Sequence, residues 1–158
     1  MVKIITNKEE KEQIARSILY DLSSWFGIPE ALEEYILKSK EMPFIAVYCD
    51  GVAVGFVSSK ATSDYTAEIY CMGVLKAYHG RGLGRKLFLE FEAIAKSKGY
   101  KYLQVKTVKY GKYETYDKTN LFYKAMGFSE LEVFPTLWDE SNPCQVYVKA
   151  IWNKLKKD

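Results

Sequence analysis

His79-Gly80-Arg81-Gly82-Leu83-Gly84 stands between an apolar run, Thr66 to Lys76, and a stretch in which Leu83, Leu87, Phe91 and Ile94 recur near helical period. Glycines placed between a strand and a helix let the backbone turn tightly and approach a ligand closely. The N–H groups at a helix start, with the helix dipole behind them, attract anions. Arg81, Arg85 and Lys86 add positive charge at the same place. A phosphate-bearing ligand is the natural partner, with a ligand-free glycine turn as the competing reading of the loop alone. Arg85-Lys86 after Gly84 does not fit a Walker loop, which needs Gly-Lys-Ser/Thr. Glycines two apart do not fit the Gly-x-Gly-x-x-Gly of dinucleotide folds.

Working outward from the loop, Val2 to Thr6 reads as a short strand and Asn7, three residues before Glu10, as a helix N-cap. Ile14, Ile18 and Leu22, flanked by Ala15 and Leu19, supply the apolar face of that helix, and Gly27 breaks it. Pro29 opens a second helix with Leu32, Tyr35 and Ile36 inward, and Pro43 closes it. Phe44–Cys49 and Val52–Ser59 are β-branched runs joined by Asp50-Gly51, a hairpin signal. Thr66 to Lys76 is a central strand. Past the glycine loop and its helix, capped by Gly99, Tyr102 to Thr107 forms another strand. A loop over Tyr110 to Thr115 leads to a helix over Tyr116 to Met126, capped by Gly127 with Phe128 as the apolar contact beyond. Strands near Leu131–Phe134 and Gln145–Ile151 follow, split by a loop holding Pro135 and Asn142-Pro143. The predicted order is β-α-α-β-β-β-α-β-α-β-β, a mixed α/β sheet with helices on both faces.

The chain has 158 residues, 48% hydrophobic and 27% charged, which fits one domain over 1–158. Its longest apolar run, Phe44 to Cys49, is too short to span a bilayer, and no leader pattern opens the sequence, so a cytoplasmic location away from membranes is expected. The three dispersed cysteines suggest free core thiols rather than disulfides or a metal site. A formal charge of +3 without a basic stripe argues against nucleic-acid binding, and Lys154, Lys156 and Lys157 read as a solvated terminus.

The loop resembles the GNAT superfamily of acyl-CoA N-acyltransferases, whose signature is Gln/Arg-x-x-Gly-x-Gly/Ala opening the third helix. His79 replaces the first position, and Gly82 and Gly84 hold the later two. In that family backbone amides do most of the binding, so the substitution is a minor departure. Asn120-Leu121-Phe122-Tyr123-Lys124-Ala125-Met126-Gly127-Phe128 is similar to the Phe-Tyr-x-x-x-Gly-Phe ending of the family's fourth helix, and the element order matches from end to end. The resemblance implies a splayed central sheet and acetyl-CoA as cosubstrate without a metal. Cofactor contacts would come from Met72, Gly73 and Val74, on the strand edge facing the pantetheine arm, and from His79, Gly80, Arg81, Gly82, Leu83, Gly84 and Arg85 at the pyrophosphate. Gly73 is expected to form a bulge. The family often has Asn seven residues before the helix tyrosine. Tyr116 stands there, and Asn120 is the nearest asparagine and the candidate for that contact.

Acetyl transfer to an amine needs a base. An alkyl amine of pKa about 10.4 is cationic at neutral pH, with about one molecule in 2,500 able to attack. Glu68, in Ala67-Glu68-Ile69, stands eleven residues before His79, the place where histone-acetylating relatives carry their glutamate base. An exposed strand carboxylate is the plainer alternative. Tyr123 matches the tyrosine that the family sets beside the CoA sulfur, where it would donate to the departing thiolate. A packing tyrosine is the alternative there.

The acceptor is expected to be a primary amine of a small molecule. Aromatic and acidic residues gather in segments that should face it: Trp25 and Phe26; Asp64 and Tyr65; Tyr110, Tyr113, Glu114, Tyr116 and Asp117; and Trp138, Asp139 and Glu140. That combination favours a cation such as a polyamine or amino sugar. A protein lysine or N-terminus is the alternative acceptor, and a non-catalytic CoA-binding sensor the alternative of another class. The oligomeric state is open, a homodimer included.

Overall fold

The chain, described from a computed structural model over residues 1–26 and 29–152, folds as β1 (Val2–Ile4), α1 (Lys8–Asp21), α2 (Ser23–Phe26), α3 (Pro29–Ser39), β2 (Phe44–Cys49), β3 (Val52–Ala61), β4 (Thr66–Val74), α4 (Leu83–Ser97), β5 (Tyr102–Val108), α5 (Glu114–Ala125), β6 (Ser129–Asp139) and β7 (Asn142–Ala150). The strands join in one mixed sheet in the order β1-β2-β3-β4-β5-β7-β6. The expected succession holds, with two additions: the four-residue α2, and a 3-10 turn at Lys76–Tyr78 where the fourth strand was expected to continue to Lys76. The expected break at Gly27 and the lysines at 154, 156 and 157 lie outside the described residues, as do the side chains of Trp25 and Phe26.

The chain divides into two compact units. The first comprises Met1–Lys60 with Ile69–Ala93. Here Asn7 caps α1 by accepting the Glu10 N–H at 2.9 Å, while the Glu10 carboxylate takes a hydrogen bond from the Tyr48 hydroxyl at 3.2 Å. Ile14, Ile18, Leu19 and Leu22 of α1 and Leu32 and Ile36 of α3 are buried with Phe44 and Phe56. Each such side chain contributes about 1.5–3 kcal/mol by leaving water. Asp50 and Gly51 both take positive φ, 50° and 78°, the type I′ geometry that closes the β2–β3 hairpin. Gly55 and Phe56, neighbours on β3, show the two faces. A Cβ on Gly55 would meet Leu87 of α4, whereas Phe56 packs with α1 and α3. Helices therefore cover both faces of this unit.

The second unit comprises Ala61–Glu68 and the chain from Ile94 onward. Gly99, with φ 87°, ends α4 as expected: its N–H bonds Lys96 O, and the Tyr100 N–H reaches back to Ala95 O. Gly127 ends α5 in the same way, the Phe128 N–H returning to Tyr123 O at 3.0 Å. The helix itself starts at Glu114, so the expected loop over 110–115 is shorter. The last strands are longer than expected. The expected loop between them is mostly a hairpin turning at 140–141, with Asp139 opposite Asn142. Asn142 Nδ2 donates to both Asp139 carboxylate oxygens at 2.9 and 3.1 Å, side-chain bonds that stand in for the glycine such a turn usually shows. Pro135 is tolerated because β6 lies at the sheet edge, where its missing N–H breaks no ladder.

Candidate active site

In the first unit, β4 runs into the glycine loop through a pinned corner. The Leu75 N–H bonds Val54 O at 2.8 Å, and the Lys76 N–H bonds the Asp21 carboxylate at 2.8 Å. The His79 ring folds back onto β4, its Nε2–H donating to Val74 O at 2.6 Å, so this histidine ties the loop to the strand it leaves. Gly80 and Gly82 take φ of 78° and 74°, and a Cβ on either would meet nothing within 4 Å. The glycines are needed there for backbone handedness, and the space above them is open. The first bond inside α4 runs from the Lys86 N–H to Gly82 O. The N–H groups of Leu83, Gly84 and Arg85 precede it and have no acceptor within the helix. Leu83 is buried and anchors the turn, while Arg81, Arg85 and Lys86 are exposed. The Arg81 guanidinium lies over the Tyr78 ring, 4.8 Å from its centroid.

Met72 and Val74 are half-buried on β4. Gly73 between them has a packing reason: a Cβ would meet Leu22 at 3.0 Å and Ile18 at 3.2 Å, so its absence lets α1 lie against the strand.

In the second unit Glu68 is buried, 3% exposed. Its Oε1 accepts the Gln104 amide N–H at 2.9 Å and faces the Lys106 ammonium at 3.0 Å. An ionised carboxylate out of water needs such partners. The Cys144 thiol lies close enough to feel both charges. Burial pushes it up to about 11, helped by Glu68 and opposed by Lys106.

Tyr123 is buried on α5, with its ring edge-on to Phe128 at 5.7 Å and tilted against Tyr147 at 6.3 Å. Asn120, one turn earlier, is fully buried. Its Nδ2 donates to Val108 O at 2.9 Å and Tyr116 O at 2.7 Å, and its Oδ1 accepts the Tyr147 hydroxyl at 2.6 Å. Burial raises the Tyr147 phenol and keeps it protonated as the donor.

The β5–β7 register relates the two candidate catalytic residues. Val105 pairs with Tyr147, so these two side chains share one face, while Gln104 and Lys106 point to the other. Glu68 is thus held by side chains on one face of the ladder, and Tyr123 rests against Tyr147 on the opposite face.

Sequence reading did not single out Gln104, Lys106 or Tyr147. Gln104-x-Lys106, polar at every second place of an apolar strand, was a visible signal for the first two. Of the residues expected to face an acceptor, Asp139 is held by Asn142, and Tyr65 and Asp117 are also engaged within the chain. The Tyr65 ring carries the Lys101 ammonium at 5.0 Å, and Asp117 accepts the Gly111 N–H at 2.7 Å. Tyr110, Tyr113 and Trp138 are exposed, and Tyr113 meets Tyr116 edge-on at 5.9 Å. Among the described residues no group of three or more His, Cys, Asp or Glu is placed to hold a metal, and no helix is long and apolar enough to cross a membrane.

The family model described as Acetyltransferase (GNAT) family matches residues 11–128, three quarters of the chain and both motifs. The chain belongs to the GNAT acetyltransferase family. No curated protein matches the sequence. Among solved structures, a Desulfovibrio desulfuricans protein assigned to the GNAT acetyltransferases superposes with a TM-score of 0.82 at 17% identity, covering 96% of this chain and 99% of that one. An aminoglycoside 6'-N-acetyltransferase complexed with coenzyme A gives 0.79 at 15% identity, covering 99% of each chain. A GNAT family acetyltransferase from Elizabethkingia anophelis with acetyl-CoA bound gives 0.62 at 18% identity over 78% of this chain and 84% of that one. These likenesses establish the GNAT fold.

Proposed function

We propose that this GNAT acetyltransferase works as a single catalytic domain over 1–158, moving an acetyl group from acetyl-CoA to a primary amine of a small molecule by direct attack. The observation that carries the reading is the Glu68 carboxylate, 3% exposed and held by Gln104 and Lys106, on the strand that leads into the glycine loop. Direct transfer through a tetrahedral intermediate requires a base for the amine proton and a donor for the departing thiolate. Glu68 takes the amine proton, directly or through a water, and Tyr123 steadies the departing CoA sulfur.

The cosubstrate would lie on the glycine loop. Gly80, Gly82 and the leading N–H groups of Leu83, Gly84 and Arg85 suit a pyrophosphate, with Arg81 and Arg85 adding charge. Met72, Gly73 and Val74 offer backbone groups to the pantetheine arm. His79 shapes the loop through its bond to Val74. Asn120 acts from beneath, because its amide groups already serve α5, β5 and β7. The 6'-N-acetyltransferase neighbour with coenzyme A supports a small amine acceptor.

The test is an amine panel with acetyl-CoA, read by release of free thiol and by mass of the product. Acetylated small amines are expected. Acetylation of peptides alone would move the acceptor to a protein, and no transfer to any amine, with CoA still bound, would leave a sensor.

A further inference from the structure

Tyr147 forms no part of the transfer chemistry above, yet it is among the largest fully buried side chains, and its hydroxyl makes a short bond. Asn120, Tyr123 and Tyr147 form a cluster of three. Asn120 and Tyr123 sit three residues apart on one face of α5. Asn120 fastens that face to the backbone of β5 through Val108 O, to its own helix through Tyr116 O, and to β7 through the Tyr147 hydroxyl. The Tyr147 ring meanwhile leans on the Tyr123 ring at 6.3 Å. One residue of β7 therefore holds α5 at two points a single turn apart.

The geometry assigns Tyr147, acting with Asn120, as a positioning residue that sets the rotation of α5 and thereby the place of the Tyr123 hydroxyl. The inference rests on the reading of Tyr123 as the donor to the CoA sulfur. A helix with its side chains is about 10–12 Å across, so a rotation of about 10° carries a side-chain tip roughly 1 Å. A displacement of that size at a reacting group costs up to about 100-fold in rate. Packing alone leaves such small rotations open, because neighbouring rings slide. The two directional bonds from Asn120 to separate strands do not permit it. Asn120 and Tyr147 are both fully buried, so bulk water does not stand in for the hydroxyl when it is removed.

The experiment is a double-mutant cycle on the full chain, with kcat, KM for acetyl-CoA and Tm measured for Tyr123→Phe, Tyr147→Phe and the pair. Tyr147→Phe keeps the ring and removes only the hydroxyl. It should lower kcat by about tenfold with KM for acetyl-CoA unchanged. In the Tyr123→Phe background the same change should leave kcat where it was, while the loss of Tm appears in both backgrounds. Equal falls of kcat in both backgrounds, or a fall of Tm without a fall of kcat, would make Tyr147 structural and overturn the assignment while leaving Tyr123 as the donor. A Tyr123→Phe enzyme as fast as wild type would overturn both. Should Tyr147→Phe fold poorly, Asn120→Leu, which keeps the volume and removes the acceptor of the Tyr147 hydroxyl, takes its place in the cycle. The assignment expects its fall in kcat to vanish in the Tyr123→Phe background, and equal falls in both backgrounds would overturn it.

Discussion

The Lys106 ammonium stands 3.0 Å from Oε1 of Glu68, a carboxylate whose side chain is 4% exposed. Lys106 itself is about a third exposed, so it can turn its charge to water when its partner is neutralised. Glu68→Gln is isosteric and should fold. Its kcat/KM at neutral pH should fall by about 100-fold, the size of a lost general base. Much of the rate should return near pH ~10, where the amine is neutral unaided. A pH–rate profile of both enzymes checks this, and an unchanged rate at neutral pH would place the base elsewhere.

Gly82 takes φ of 74° with open space beyond its Cβ position. Gly82→Ala therefore suffers mainly the left-handed backbone, about 1–2 kcal/mol. Gly82→Glu adds a carboxylate where the pyrophosphate is expected. Acetyl-CoA at about 100 times its Kd stabilises the folded protein by about 2.7 kcal/mol, or roughly 5–10 °C in Tm. Thermal scans should show that shift for wild type and none for Gly82→Glu. Equal shifts in both would remove the cosubstrate from this loop.

The exposed rings of Tyr110, Tyr113 and Trp138 lie in segments that also carry Glu114, Asp139 and Glu140. Aromatic faces beside carboxylates favour cations by about 0.5–2 kcal/mol for each good contact. Spermidine-like or amino-sugar acceptors should exceed glutamate-like amines in kcat/KM by about tenfold or more. Competition between the two sets measures it. A preference for the acidic set would refute the charge argument and leave acetyl transfer intact.

Arg16 on α1 grips Glu33 on α3 through Nη1 at 3.0 and 2.6 Å, and the Tyr20 hydroxyl joins them at 2.8 Å. The Arg16 guanidinium, with Tyr20 second, holds the Glu33 carboxyl below its ordinary range. A carboxyl depressed in the folded state adds stability above its unfolded pKa of about 4.3, and that addition is lost as pH falls through the lower folded value. Arg16→Met should therefore be less stable than wild type at neutral pH, and the two should converge in acid. Urea midpoints across pH test the convergence, and the exposed pair should weaken in salt.

The parts of the fold legible in sequence are those set by neighbours along the chain. Asp50-Gly51 fixes a turn by two positive φ angles, Asn7 caps a helix three residues before Glu10, and Gly99 and Gly127 end helices, each a local matter. The turn at 140–141 was hidden because its support is the Asn142–Asp139 bond rather than a glycine, and Pro135 pointed away from strand until the edge position of β6 explained it. In the candidate site Glu68 and Tyr123 stood out by motif. Gln104, Lys106 and Tyr147 depend on which strands lie side by side and in what register, and no spacing along the chain states that. Asn120 was legible as a residue but not as a scaffold, since its partners come from 12 and 27 positions away.

The buried cysteines give each unit its own clock. Cys71 belongs to the first unit and Cys144 to the second, and burial pushes their thiols up to about 12 and about 11. Both are protonated at neutral pH and closed to reagents while their surroundings stay folded, whereas Cys49 is half-buried. A thiol label read by peptide mass would therefore time the opening of the two units separately, with Cys49 as the early mark on the same molecule. Ligand added during labelling would show which clock it slows, and so which unit it grips.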